Sequence, residues 1–131
     1  MNIAITGANG FIGKNLSYFL REKNINVKKI TRKKNIKGKA INKFILNDKD
    51  KNFLEDIDIV IHCAARVHKI IKEDIDLAKQ NYYEDNVNAT RELALEAVKC
   101  GVKKFIFLSS IKVNGEKTSP NNLFNEKSIE N

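Results

Sequence analysis

The chain has 131 residues, enough for one domain around a single buried core. A composition of 42% hydrophobic and 31% charged residues is ordinary for a soluble globular protein, and no run of about 18 apolar residues marks a membrane span. The net charge of +8 comes from scattered lysines with one cluster at Lys28, Lys29, Arg32, Lys33 and Lys34, so solvated surface charge is expected rather than a nucleic-acid partner.

Met1 leads directly into Ile3-Ala4-Ile5, without the charged and apolar stretches of a secretion signal, so a cytoplasmic protein with no membrane partner is expected. Ile3-Ala4-Ile5 stops at a glycine turn and reads as a buried strand. From Phe11 to Lys23, Phe11, Ile12, Leu16, Phe19 and Leu20 recur at helical spacing, and Asn24 suits the helix end. Ile25, Val27 and Ile30 alternate with polar residues as a second strand. Arg32 to Lys39 reads as a basic loop, Ile41 to Leu46 as a weaker third strand, and Asp48 to Asp56 as a short helix with Phe53 and Leu54 facing inward. Ile57 to Ile61 is a fourth strand, apolar enough to be buried on both faces.

Asp74 to Lys99 carries a long helical pattern, and Gly101 ends it. Phe105-Ile106-Phe107-Leu108 reads as a fifth buried strand leading into Ser109-Ser110. The domain is expected to span 1–115, with 116–131 as a polar loop or frayed tail. Cys63 and Cys100 have neither disulfide nor metal spacing and read as reduced, buried thiols; His68 reads as a loop residue and no metal site is expected.

Strands alternating with helices imply right-handed crossovers and an α/β fold, a Rossmann-like doubly wound parallel sheet of order 3-2-1-4-5. Ligands of such sheets sit at the carboxyl ends of the strands, at the switch between the first and fourth. The turn Thr6-Gly7-Ala8-Asn9-Gly10-Phe11-Ile12-Gly13 lies at that switch. Gly7 permits a tight turn, Gly10 lets backbone approach a pyrophosphate, and Gly13 permits close helix–strand packing. The helix that follows presents free N–H groups and a positive dipole end to the phosphates of NAD or NADP.

The Thr-Gly-x-x-Gly-x-x-Gly spacing resembles the short-chain dehydrogenase/reductase superfamily, in its extended branch of NAD(P)-dependent sugar-nucleotide epimerases and dehydratases. Ile57-Asp58-Ile59-Val60-Ile61-His62-Cys63-Ala64-Ala65 is similar to that branch's D-x-V-x-H-x-A-A strand. Tyr82-Tyr83-Glu84-Asp85-Asn86-Val87-Asn88-Ala89-Thr90 is similar to its N-V-x-G-T helix segment, and Ser109-Ser110 with Val113-Asn114-Gly115 to its S-S-x-x-V-Y-G turn. Ala64-Ala65-Arg66-Val67-His68 with Ser109 to Gly115 most resembles bacterial UDP-sugar 4-epimerases and 4-reductases of polysaccharide synthesis.

The resemblance implies that Gly7, Gly10 and Gly13 hold the pyrophosphate, with the N–H groups of Phe11 and Ile12 facing it. It puts Ala64, Ala65, Asn86 and Ser109 beside the cofactor, and makes Ser110 the catalytic hydroxyl on the sugar oxygen. His62 is expected to be a satisfied structural histidine. Two features depart from the family. The residues four positions after Tyr18, Tyr82 and Tyr83 are Glu22, Asn86 and Val87, so the family's Tyr-x-x-x-Lys pair is absent. The acidic residue that would hold the adenine ribose of NAD is replaced by Thr31, followed by Arg32, a local chemistry that leans toward the 2′-phosphate of NADP.

The chain is therefore expected to be the N-terminal portion of such an enzyme, its sheet truncated after about five strands, binding dinucleotide but catalytically incomplete. A UDP-sugar would bind only with the remaining region supplied, and an oligomer is possible for the full-length parent. The alternatives are a dinucleotide-sensing regulator and a nonfunctional gene remnant.

Overall fold

The computed structural model describes residues 1–31, 53–67 and 74–128. Strand β1 (Asn2–Thr6) leads to helix α1 (Phe11–Glu22) and strand β2 (Asn26–Ile30). Strand β3 (Ile59–His62) is followed by helix α2 (Ile75–Tyr82), a π-helical turn (Tyr83–Asn88) and helix α3 (Ala89–Lys99), then strand β4 (Lys104–Phe107) and a 3-10 turn (Ile111–Asn114). The expected basic loop from Arg32, the third strand at Ile41 to Leu46, residues 48–52 of the expected short helix, and His68 lie outside the described residues.

All pairings are parallel, in the order β2-β1-β3-β4. That is the anticipated order of the first, second, fourth and fifth strands. Successive side chains of a strand point to opposite faces, and here both faces are covered. Ile3, Ile5, Val27 and Ile61 pack with Leu16 and Leu20 of α1 on one side, and Ala4 and Val60 with Leu93 and Ala97 of α3 on the other. Leu54 is fully buried in the second cluster, as anticipated, but residues 53–56 form a turn.

The helix ends follow from single residues. Asn24 at φ 57° and Gly101 at φ 71° adopt the left-handed conformation that stops a helix and frees the next residue to point inward. The following N–H groups reach back into the last turn, Ile25 to the Leu20 carbonyl at 3.1 Å and Val102 to that of Ala97 at 2.9 Å. Ile25 and Val102 then pack against the two cores. Asp74 caps α2, its carboxylate accepting from the N–H groups of Asp76 and Leu77.

Two expectations need correction. The long helix is not α-helical throughout, because the six-residue π turn inserts extra backbone between α2 and α3. The fifth strand is not buried: Phe105 is half-buried, while Ile106 is 38% and Phe107 53% exposed. β4 is the edge of the described sheet, and among the described residues only β3 pairs with it.

Leu93 of α3 is 1% exposed where the helix packs on the sheet. Leu93→Ala is expected to lower unfolding stability by about 2–5 kcal/mol, read as a lower urea midpoint with an unchanged slope.

Candidate functional site

The carboxyl ends of β1 and β3 adjoin where the chain connections turn to opposite faces of the sheet, the place where such sheets leave a crevice. The three glycines at that point do different work. Gly7 has φ 64°, and a Cβ there would come within 2.8 Å of the Ala64 nitrogen and the Cys63 carbonyl carbon. A Cβ on Gly13 would strike the Gly7 carbonyl oxygen and lie 2.9 Å from Ala8 Cα. These two glycines keep backbones in contact.

Gly10 is different. Its φ of −76° suits any residue, and among the described residues a Cβ there would meet only the Gly7 oxygen, at 3.2 Å. Its open side faces space that a ligand can take. Gly10 is also the N-cap of α1, with no side-chain cap and no acidic residue in the first turn. The N–H groups of Phe11, Ile12 and Gly13 therefore lack intrahelical acceptors at the positive end of the helix dipole. The side chains of Phe11 and Ile12 are exposed, so access to these amides is not closed by the core. A turn left open by the missing Cβ of Gly10, unneutralised amides and a positive dipole end together fit a pyrophosphate.

A polar chain runs beneath the turn. The buried Thr6 hydroxyl lies 2.6 Å from Nδ1 of His62, and the Ala64 N–H donates to Thr6 Oγ1 at 3.3 Å. His62 Nε2 lies 2.9 Å from Thr90 Oγ1, which donates to the Asn86 carbonyl at 2.7 Å. The last acceptor fixes the order. A carbonyl cannot donate, so Thr90 gives it its only proton and must accept from Nε2–H. Nδ1 is then free to accept from Thr6 Oγ1–H. His62 is neutral in this arrangement, and burial holds its pKa down at about 4 from an ordinary 6.5. It is 1% exposed and satisfied at both nitrogens, as the sequence suggested.

The segment after β3 is held from the π turn. The Asn86 side-chain amide brackets the Arg66 backbone, accepting its N–H at 2.6 Å and donating to its carbonyl at 3.0 Å. The neighbouring Asp85, which is buried, pairs with the Arg66 guanidinium at 3.2 Å, which lies over the Tyr82 ring. Adjacent residues of one helix thus grip the backbone and the side chain of one loop residue.

The remaining anticipated residues take places along the same edge of the sheet. Ala64 is half-buried and Ala65 exposed just past β3. Ser109 and Ser110 are exposed just past β4, whose Phe107 is paired with His62. Ser110 Oγ accepts the Lys112 N–H at 3.3 Å, which leaves its proton available. Thr31 is exposed after Ile30, the partner of Thr6 in β2, and Arg32 lies outside the described residues. Gly7, Gly13 and Ala64 are thus brought into contact, while Thr31 and the two serines flank them on neighbouring strands. The Arg66–Asp85 pair and the role of Thr90 were missed by sequence reasoning, although all three residues stand inside the quoted motifs. Among the described residues there is no group of His, Cys, Asp and Glu able to hold a metal ion, and no helix long and apolar enough to cross a membrane.

A doubly wound parallel sheet with a Thr-Gly-x-x-Gly-x-x-Gly cradle at its switch point defines a dinucleotide-type Rossmann unit. A profile of the "NAD dependent epimerase/dehydratase family" matches residues 3–130, and the chain belongs to that family. It is 36% identical over 133 residues to a UDP-glucose 4-epimerase of Vibrio cholerae, the match covering 89% of this chain and 37% of the relative. Among solved structures it is similar to MoeE5 in complex with UDP-glucose and NAD, with a TM-score of 0.78, 27% identity, and coverage of 100% of this chain and 42% of that one. It is also similar to TunA, an NAD dependent NDP-hexosamine 5,6-dehydratase, with a TM-score of 0.68, 26% identity, and coverage of 100% and 44%. The chain thus spans less than half the length of these relatives.

The buried neutral imidazole makes stability depend on pH with a definite sign. Because the folded pKa lies below the ordinary value, the unfolded chain takes up a proton that folded His62 refuses. Stability is full above pH 6.5 and is lost as the pH falls toward about 4. Asp58, held below its ordinary carboxyl range by Lys103, adds its loss only under more acidic conditions. The urea midpoint is expected to be lower at pH 5 than at pH 7.5, and His62→Gln is expected to flatten that difference.

Proposed function

We propose that the chain is the NAD(P)-binding N-terminal portion of a nucleotide-sugar epimerase, dehydratase or 4-reductase. The observation that carries this reading is Gly10, whose open side stands beside the unpaired first-turn amides of α1. Gly7, Gly10 and Gly13 shape the cradle, and the N–H groups of Phe11 and Ile12 bind the pyrophosphate. Ala64 and Ala65 leave room along the end of β3 for the ribose and phosphate backbone, and Ser109 stands near the nicotinamide. Asn86 serves the cofactor by holding the loop at Arg66. The bound nicotinamide supplies hydride acceptance and return.

Ser110 is the hydroxyl that meets the sugar oxygen. Turnover also needs a tyrosine to move the hydroxyl proton and a lysine to lower that tyrosine's pKa. No tyrosine of this chain has a lysine four positions on. We therefore assign it cofactor binding without turnover of its own, the UDP-sugar requiring residues that this chain does not contain. Residues 1–115 form the dinucleotide domain in this reading, with 116–131 as an appended polar segment.

Thr31 cannot accept from the ribose hydroxyls as a carboxylate would, and Arg32 beside it suits a 2′-phosphate. NADP is therefore expected to bind more tightly than NAD; tighter NAD binding contradicts that preference. Gly10→Val is expected to stay folded with a modestly lower thermal midpoint, because its φ suits valine but its Cβ lies 3.2 Å from the Gly7 oxygen at the N-cap, and to weaken dinucleotide binding by about tenfold or more as the side chain enters the phosphate space. Titration calorimetry on the wild type and Gly10→Val checks this. Equal affinities, or a wild type that binds neither dinucleotide, would sink the reading.

A further inference from the structure

The polar chain beneath the glycine turn is more than a way to satisfy a buried histidine. It begins at Thr6, the last residue of β1, passes through His62, the last residue of β3, and ends at Thr90 in α3. Partners that lie 56 and 28 residues away along the chain are thereby tied at one point. Thr6 Oγ1 also takes the Ala64 N–H, the amide that sits 2.8 Å from where a Gly7 Cβ would be. One hydroxyl therefore links His62 to the amide that lies against the phosphate turn.

Packing alone does not ask for this. His62 lies against the rings of Phe105 and Phe107, with centroids 6.1 and 5.7 Å away, so an apolar side chain would suit the space. The imidazole adds an acceptor at Nδ1 and a donor at Nε2. With its proton committed to Nδ1, Thr6 Oγ1 turns its lone pairs to the Ala64 amide. Without that acceptor the Thr6 hydroxyl is free to rotate and the Ala64 amide loses its fixed partner.

We propose that His62 is a positioning residue of the dinucleotide site: it orients the Thr6 hydroxyl, which holds the Ala64 backbone against the glycine turn. The proposal rests on the dinucleotide-binding reading and assigns His62 no contact with cofactor or substrate.

The test measures dinucleotide affinity at pH 7.5 for the wild type and two pairs of variants, each checked for folding by circular dichroism. Thr6→Ser and His62→Gln keep a donor and an acceptor and are expected to stay within about threefold of wild type. Thr6→Val and His62→Leu remove them and are expected to weaken binding by about tenfold. His62→Leu fills the space beside the two phenylalanines, so it is the variant to read if Thr6→Val does not fold. Imidazole 15N spectra give an independent readout: the Nδ1 resonance should move in a folded Thr6→Val and stay in Thr6→Ser. A folded His62→Leu that binds like wild type overturns the positioning role while leaving the dinucleotide reading intact. A wild type that does not bind overturns both.

Discussion

The site depends on one close approach, that of the Gly7 backbone to the Cys63–Ala64 peptide. Any Cβ at Gly7 would sit inside van der Waals distance of that peptide, and the φ of 64° already favours glycine. This contact sets where the chain can turn after β1. The turn in turn decides where α1 begins, and so where its unpaired amides point. Gly13 repeats the constraint one helical turn later, against the Gly7 carbonyl. Two glycines are thus spent on backbone contact, which leaves Gly10 as the position where the missing side chain opens space for a ligand.

Polar contacts add to that close approach in holding the opposite wall of the crevice. Ala64 is tied to Thr6, Thr6 to His62, and His62 to Thr90. Arg66 is gripped by Asp85 and Asn86 together. The π turn at Tyr83–Asn88 supplies the local change of pitch just where both grips originate. The residues that order the strand-end loop thus lie within the interruption of the long helix.

Most of the sheet was legible in the sequence because its determinants are local. Apolar runs marked β1 and β3, the 3.6-residue pattern marked α1, and Asn24 and Gly101 marked helix ends. The glycine spacing marked the cradle, although it did not separate the packing glycines from the open one. What escaped depends on distant partners. The π turn has no periodic signature, and the pairing of Arg66 with Asp85 joins segments 19 residues apart. The exposure of β4 escaped too, since Phe105-Ile106-Phe107 reads as buried from its apolarity, whereas burial of a strand is set by its neighbours. Near the serines, the sequence offered Ser110 as a hydroxyl, and the fold adds that its oxygen already accepts the Lys112 N–H.

The central claim is that the first-turn amides of α1 and the end of β3 form the two walls of one dinucleotide crevice. Backbone amide NMR during titration with NADP and with NAD tests it most directly. The account predicts saturable shifts in the N–H resonances of Gly10, Phe11, Ile12 and Gly13, together with Ala64 and Ala65. Saturable shifts confined to other parts of the surface, with these amides unmoved, would contradict it.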